Sequence, residues 1–95
     1  MNNTTGHLLR PCKSTAAYEA LPDAKTGNLK LDLTICHDIL GTIGYEEVCN
    51  AKVLLILKKE IEVTLYPNGK LILKTDSKNQ AQRVMDEIYD LILNN

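Results

Sequence analysis

The stretch VTLYPNGKLILKT, Val63 to Thr75, constrains the fold more than any other part of the chain. Ile61, Val63 and Leu65 alternate with Glu62, Thr64 and Tyr66, the period-two pattern of a strand with one buried face. Pro67-Asn68-Gly69 then supplies a turn, because asparagine and glycine tolerate the positive φ that tight hairpins use. The return segment KLILK sets Leu71 and Leu73 on the core side. The Leu/Ile face of this hairpin needs a cover, and the residues that follow provide one. Ser77 to Gln80, SKNQ, reads as a capping box in which the serine hydroxyl accepts from a free helix amide and the glutamine reaches back. Ala81, Val84, Met85, Ile88 and Ile92 follow as a stripe at 3.6-residue spacing, with Asp86, Glu87 and Asp90 on the wet side.

Upstream, AKVLLILK is a continuous apolar run that predicts a central strand covered on both faces, and Lys58 to Glu60 predicts the turn into the hairpin. In LKLDLTIC, Leu29, Leu31, Leu33 and Ile35 alternate with Lys30, Asp32, Thr34 and Cys36, which predicts a half-buried strand. HDILGTIGY predicts at most a short helix, because Gly41 and Gly44 weaken one. Ser14 to Asp23, STAAYEALPD, predicts another short helix, capped by Ser14, favoured by Ala16, Ala17 and Ala20, and ended by Pro22. Asp23 to Asn28 predicts a turn, and the polar start, Met1 to Gly6, predicts disorder.

The expected order is strand, short helix, three strands, long helix. This is an α+β fold: an antiparallel sheet of about four to five strands covered on one face by the long C-terminal helix, plus a short helix. Residues 29–95 form the α+β domain, and residues 1–28 an N-terminal extension with a short helix. The other sheet face is expected to carry Lys30, Asp32, Thr34, Thr64, Tyr66, Lys70, Ile72 and Lys74, with half of the Val53–Leu57 run. An apolar strip there needs a cover, and a second copy of the chain or a ligand is the nearest candidate.

Composition narrows the function classes. Ninety-five residues suit one small domain. Four Tyr with no Trp or Phe make the core aliphatic. A net charge of −1 and a pI near 6.1 count against strong non-specific nucleic-acid binding, which needs surplus Lys and Arg to displace counterions. No apolar run approaches the ~18 residues of a membrane helix, and MNNTTGHLLRPCKS lacks a signal-peptide core. A cytoplasmic location is expected, with the three cysteines as free thiols.

The stretch VTLYPNGKLILKTDSKNQAQRVMDEIYDLIL, with the residues back to about Leu29, resembles one half-repeat of the TATA-box-binding protein family. The family's pattern is an apolar strand ending in an aromatic, a turn with Gly-Lys, an apolar return strand, a polar cap and an amphipathic helix with Tyr near its end. Tyr66, Gly69-Lys70, Ser77 and Tyr89 fall in register with it. The resemblance implies a curved sheet whose open face binds; in the family two half-repeats form a saddle on the DNA minor groove, with Phe wedges that kink it. Tyr66 stands where one wedge Phe would be. The second wedge position, near Asn50 to Lys52, has no aromatic, the family's Gly after the return strand is Thr75, and the final helix is acidic. One half-repeat implies a homodimer if a saddle is to exist, and the missing Phe implies that DNA is not kinked in the family's way.

On the open face, Lys70, Lys74 and Lys30 could contact phosphates while Tyr66 stacks on a base, with Thr34, Thr64 and Ile72 completing the platform. The same lysines also read as solvated edge charges that discourage aggregation, and Glu62 and Asp32 would repel phosphates. Cys12, Cys36, His37 and Cys49 are too far apart for paired zinc ligands, so no metal or other cofactor is expected. Cys36-His37-Asp38 is a poor nucleophile and base unit, since adjacent residues seldom converge. AKTGN lacks the order of a phosphate-binding loop, so no catalytic residues are assigned and no enzymatic activity is expected. The N-terminal segment could instead cap the open face through Leu8, Leu9 and Tyr18. The leading expectation is a non-enzymatic interaction domain, homodimeric, that binds itself or another protein through the sheet face or the N-terminal segment. The alternative is a nucleic-acid-binding module using Tyr66, Lys70 and Lys74.

Overall fold

The computed structural model describes residues 7–12, 16–22 and 30–93. Its centre is the expected hairpin: β5 (Glu62–Leu65) and β6 (Leu71–Leu73), with Val63 opposite Leu73 and Leu65 opposite Leu71. The turn between them is closed by Gly69 N–H to the Tyr66 carbonyl at 2.9 Å and by Lys70 N–H to the Asn68 side chain at 3.0 Å. Gly69 has φ 91°, a left-handed conformation that costs glycine little and other residues more.

β4 (Leu54–Lys58) pairs with β5, and β3 (Glu46–Ala51) pairs with β4, all antiparallel. On the far side of β6 lies β2 (Tyr18–Leu21), then β1 (Leu8–Pro11). The sheet therefore has six strands in the order β1-β2-β6-β5-β4-β3. α1 (Leu33–Gly41) lies between β2 and β3 in the chain and packs on β4, while α2 (Lys78–Ile92) follows β6 and packs on β2, β6 and α1. The architecture is α+β, an antiparallel sheet with two helices on one face, slightly wider than the expected four to five strands.

The core lies between sheet and helices. Leu55, Leu57, Val63, Leu65, Leu71 and Leu73 contribute from the sheet, each at most 2% exposed. The α2 stripe is buried as expected, and Tyr89 joins it. The phenol of Tyr89 donates to the Gly69 carbonyl at 2.6 Å, fastening the last helix to the central turn, and burial pushes its ionisation well above the ordinary tyrosine range.

Two local expectations are corrected. The alternation in Leu29–Cys36 does not make a strand: Asp32 caps a helix, accepting from the amides of Thr34 at 2.9 Å and Ile35 at 3.4 Å. The helix buries Leu33, Cys36 and Leu40 and leaves Ile35 56% exposed, the reverse of what alternation requires for Ile35 and Cys36. Likewise the helix expected over Ser14–Asp23 is replaced by β2, where Tyr18 and Ala20 face inward and Glu19 outward, paired to Leu73, Leu71 and Ile72. Ser14, the Asp23–Asn28 turn, Leu29 and the start to Gly6 lie outside the described residues.

The apolar run also divides. Ala51 closes β3, Lys52 and Val53 form the turn, and the strand begins at Leu54, one position in from the sheet edge. Its buried side is Leu55 and Leu57; Leu54 and Ile56 are only half-buried on the other, so it is covered on one face, not both. Neither β3 nor the β1–β2 hairpin was expected. The capping box at α2 has an extra member: Gln80 N–H donates to Ser77 Oγ at 3.2 Å, but Ser77 N–H donates to the hydroxyl of buried Thr75 at 3.1 Å. That hydroxyl in turn donates to Gln80 Oε1 at 2.6 Å.

Candidate functional site

Strand register lines up the face turned away from the helices. One row crosses all six strands: Arg10, Glu19, Ile72, Thr64, Ile56 and Cys49 stand opposite one another in turn. Two residues along the strands, Leu8 opposite Leu21 and Leu54 opposite Ala51 flank Lys70 and Tyr66. Leu21, Leu54, Ile56, Thr64, Tyr66 and Ile72 are half-buried by strand neighbours alone, and no helix among the described residues covers them.

Of the residues expected on this face, Thr64, Tyr66, Lys70, Ile72 and Lys74 do come together. Lys70 Nζ sits 5.5 Å from the centre of the Tyr66 ring, and it is held there by Glu19 Oε2 at 3.0 Å. Glu19 Oε1 also accepts from Arg10 Nε at 2.7 Å, so one carboxylate joins β1, β2 and the start of β6. The Arg10 and then the Lys70 hydrogen bonds hold the Glu19 carboxyl below its ordinary range. Lys74 Nζ lies 3.9 Å from Glu62 Oε1. Lys70 and Lys74 are thus each set beside an acid, with Arg10 and Lys70 sharing one.

Lys30, Asp32 and Thr34 lie elsewhere. Lys30 is exposed before α1, Asp32 is its cap and Thr34 is in its first turn, so these three leave the expected platform because their segment is helical. An open hollow of about 410 Å³ lies between this helix start and the β3–β4 turn, lined by Leu31 to Thr34 and by Asn50 to Lys52. The cysteines are dispersed. Cys12 is partly exposed after β1, Cys36 is buried in α1 with its thiol pushed up by burial and then by Asp32, and Cys49 is exposed on β3. His37 turns from Cys36 toward Glu47, with Nε2 to Oε1 at 2.9 Å. Among the described residues no three metal-binding side chains converge, and no helix is long and apolar enough to cross a membrane.

Sequence reasoning missed Arg10, Glu19 and Cys49 as members of the face. The signal was available for the first two: LLRP and YEAL are two short apolar pieces of opposite charge either side of a turn, though the alanines between them favour a helix. Comparison with known proteins found no matching family model, no matching curated protein and no matching solved structure.

Proposed function

We propose that the chain is a non-enzymatic interaction domain, homodimeric, whose open sheet face binds a protein partner. The observation that carries this reading is the row of Ile56, Thr64 and Ile72, flanked by Leu54 and Tyr66, which no helix among the described residues covers, both described helices lying on the opposite side of the sheet. An apolar strip bordered by charged residues is the usual composition of a protein contact. The placing of Lys70 beside Glu19 and of Lys74 near Glu62 favours protein over nucleic acid, because each carboxylate repels phosphate and competes with it for the lysine that would displace the nucleic acid's counterions. A resemblance to half of the TATA-box-binding saddle fits the same picture, in which a second copy completes the binding unit.

Light scattering at micromolar concentration tests the dimer; twice the 10.6 kDa chain mass is expected, and a monomer at high concentration overturns it. The nucleic-acid alternative rests on Tyr66 beneath the Lys70 ammonium. Anisotropy of labelled duplex and single-stranded DNA and RNA at low and moderate salt decides it. Salt-sensitive binding abolished by Lys70→Glu with Lys74→Glu would replace the protein-contact reading.

A further inference from the structure

The open face carries a row of charges that alternates in sign. Glu62 stands opposite Lys58 on β4, and Lys58 stands opposite Glu46 on β3. On the other side of Glu62 comes Lys74, just past β6, whose N–H donates to the Glu62 carbonyl at 3.0 Å. Lys74, Glu62 and Lys58 lie two positions along their strands from Ile72, Thr64 and Ile56, and so share their face. The register shift between Glu47 and Cys49 brings Glu46 to the same side as Lys58. Across four adjacent strands the row therefore reads Lys74, Glu62, Lys58, Glu46.

A second copy laid face to face on this sheet meets it about a two-fold axis in the plane of contact, and the charges discriminate among the axes. An axis along β5 sets Glu62 on Glu62, and one along β4 sets Lys58 on Lys58. An axis across the strands, through the row of Ile72, sets Lys74 on Lys70. An axis between β6 and β5 pairs Lys74 with Glu62 but lays Glu19 on Ile56, stranding a carboxylate on an apolar residue. An axis between β4 and β5 matches the whole row: Lys74 meets Glu46 and Glu62 meets Lys58, each contact occurring twice. It also lays Thr64 on Ile56 and Tyr66 on Leu54, and leaves β1 and β2, with the Arg10–Glu19 pair, outside the overlap.

We propose that the occupant of the open face is a second copy of the chain, stacked sheet on sheet about a two-fold axis that runs along the strands between β4 and β5. This rests on the homodimer proposed above and deepens it, naming the partner of the face and its register. Sheets packed this way keep their strands within about 30° of each other and lie roughly 10 Å apart, a gap that lysine and glutamate side chains bridge at the rim.

Light scattering of the full chain over a dilution series tests it. Lys58→Glu and Glu62→Lys each turn two attractive contacts between copies into repulsive ones, and each should weaken dimerisation about tenfold. Mixed in equal amounts, the two variants should dimerise as wild type does, because each supplies the charge that the other lacks. Recovery on mixing cannot arise from a contact within one chain. A native circular dichroism spectrum in each variant shows that the fold is kept, and Lys78→Glu, exposed on α2, should leave the dimer unchanged. Weakening that mixing does not repair would overturn the axis. A dimer indifferent to both variants would overturn the stacked faces while leaving a homodimer through another surface. A monomer at every concentration would overturn both this inference and the homodimer beneath it.

Discussion

Tyr89 and Thr75 each hold a hydroxyl where a carbon would leave neighbours stranded. The Tyr89 phenol is the partner of the carbonyl of Gly69, the buried residue of the hairpin turn. Tyr89→Phe keeps the ring and removes that partner, and a loss of about 1–3 kcal/mol in urea unfolding is expected. Thr75 receives Ser77 N–H and donates to Gln80, so Thr75→Val should cost a similar amount while Thr75→Ser stays near wild type. Thr75→Val near wild type with Thr75→Ser destabilised would show that the methyl group, not the hydroxyl, matters there. At this scale the sequence was legible where the partners are close in the chain. Ser77 and Gln80 were read from spacing alone; Thr75 entered because the backbone bends before the helix, and Tyr89 reaches a residue twenty positions away.

Elements show why alternation is a weaker guide than it looks. Leu29 to Cys36 alternates apolar and polar residues, yet Leu33, Cys36 and Leu40 also fit a helical face, and Asp32 stands ready to cap it. Tertiary burial decided between two patterns that coexist in one segment. Asp32→Ala should cost about 1 kcal/mol and lower the helical signal in circular dichroism, whereas a strand residue at that position would tolerate the change. The opposite happened at Tyr18 to Leu21, where alanines favour a helix but pairing with β6 wins. That hairpin is tied down by Glu19, and its pH dependence has a definite sign. The folded carboxyl titrates below the ordinary value of 4.5, so its stabilising effect is fully present above that value and is lost as pH falls through the lower, folded one. Glu19→Gln should therefore be less stable than wild type at neutral pH, with the gap closing in acid well below 4.5. A gap independent of pH would remove the ion pair as its cause.

Across the whole molecule, sequence patterning was most reliable where one face is dry: the hairpin, its turn and the final helix all stand where spacing put them. It was least reliable at the rims. β3 has no buried position from which an alternation could be read, and β1 has only Leu9 turned toward the core. The candidate face was legible in its middle, at Thr64, Tyr66, Lys70 and Ile72, and illegible where β1, β2 and β3 extend it.

Strand order also sets a timetable. β3 to β6 are neighbours in sequence as well as in space, so that meander can form from short loops as soon as it is made. β2 must wait: Tyr18 pairs with Leu73, and more than half of the chain lies between them. Until β6 exists, Tyr18 to Leu21 has no place in the sheet, and β1 depends on it in turn. Native-state hydrogen exchange should find the amides of β1 and β2 opening before those of β4 and β5. A nascent chain therefore carries its first two strands as unplaced guests, and a ribosome paused before Leu71 would leave them exposed to whatever else in the cell offers an edge.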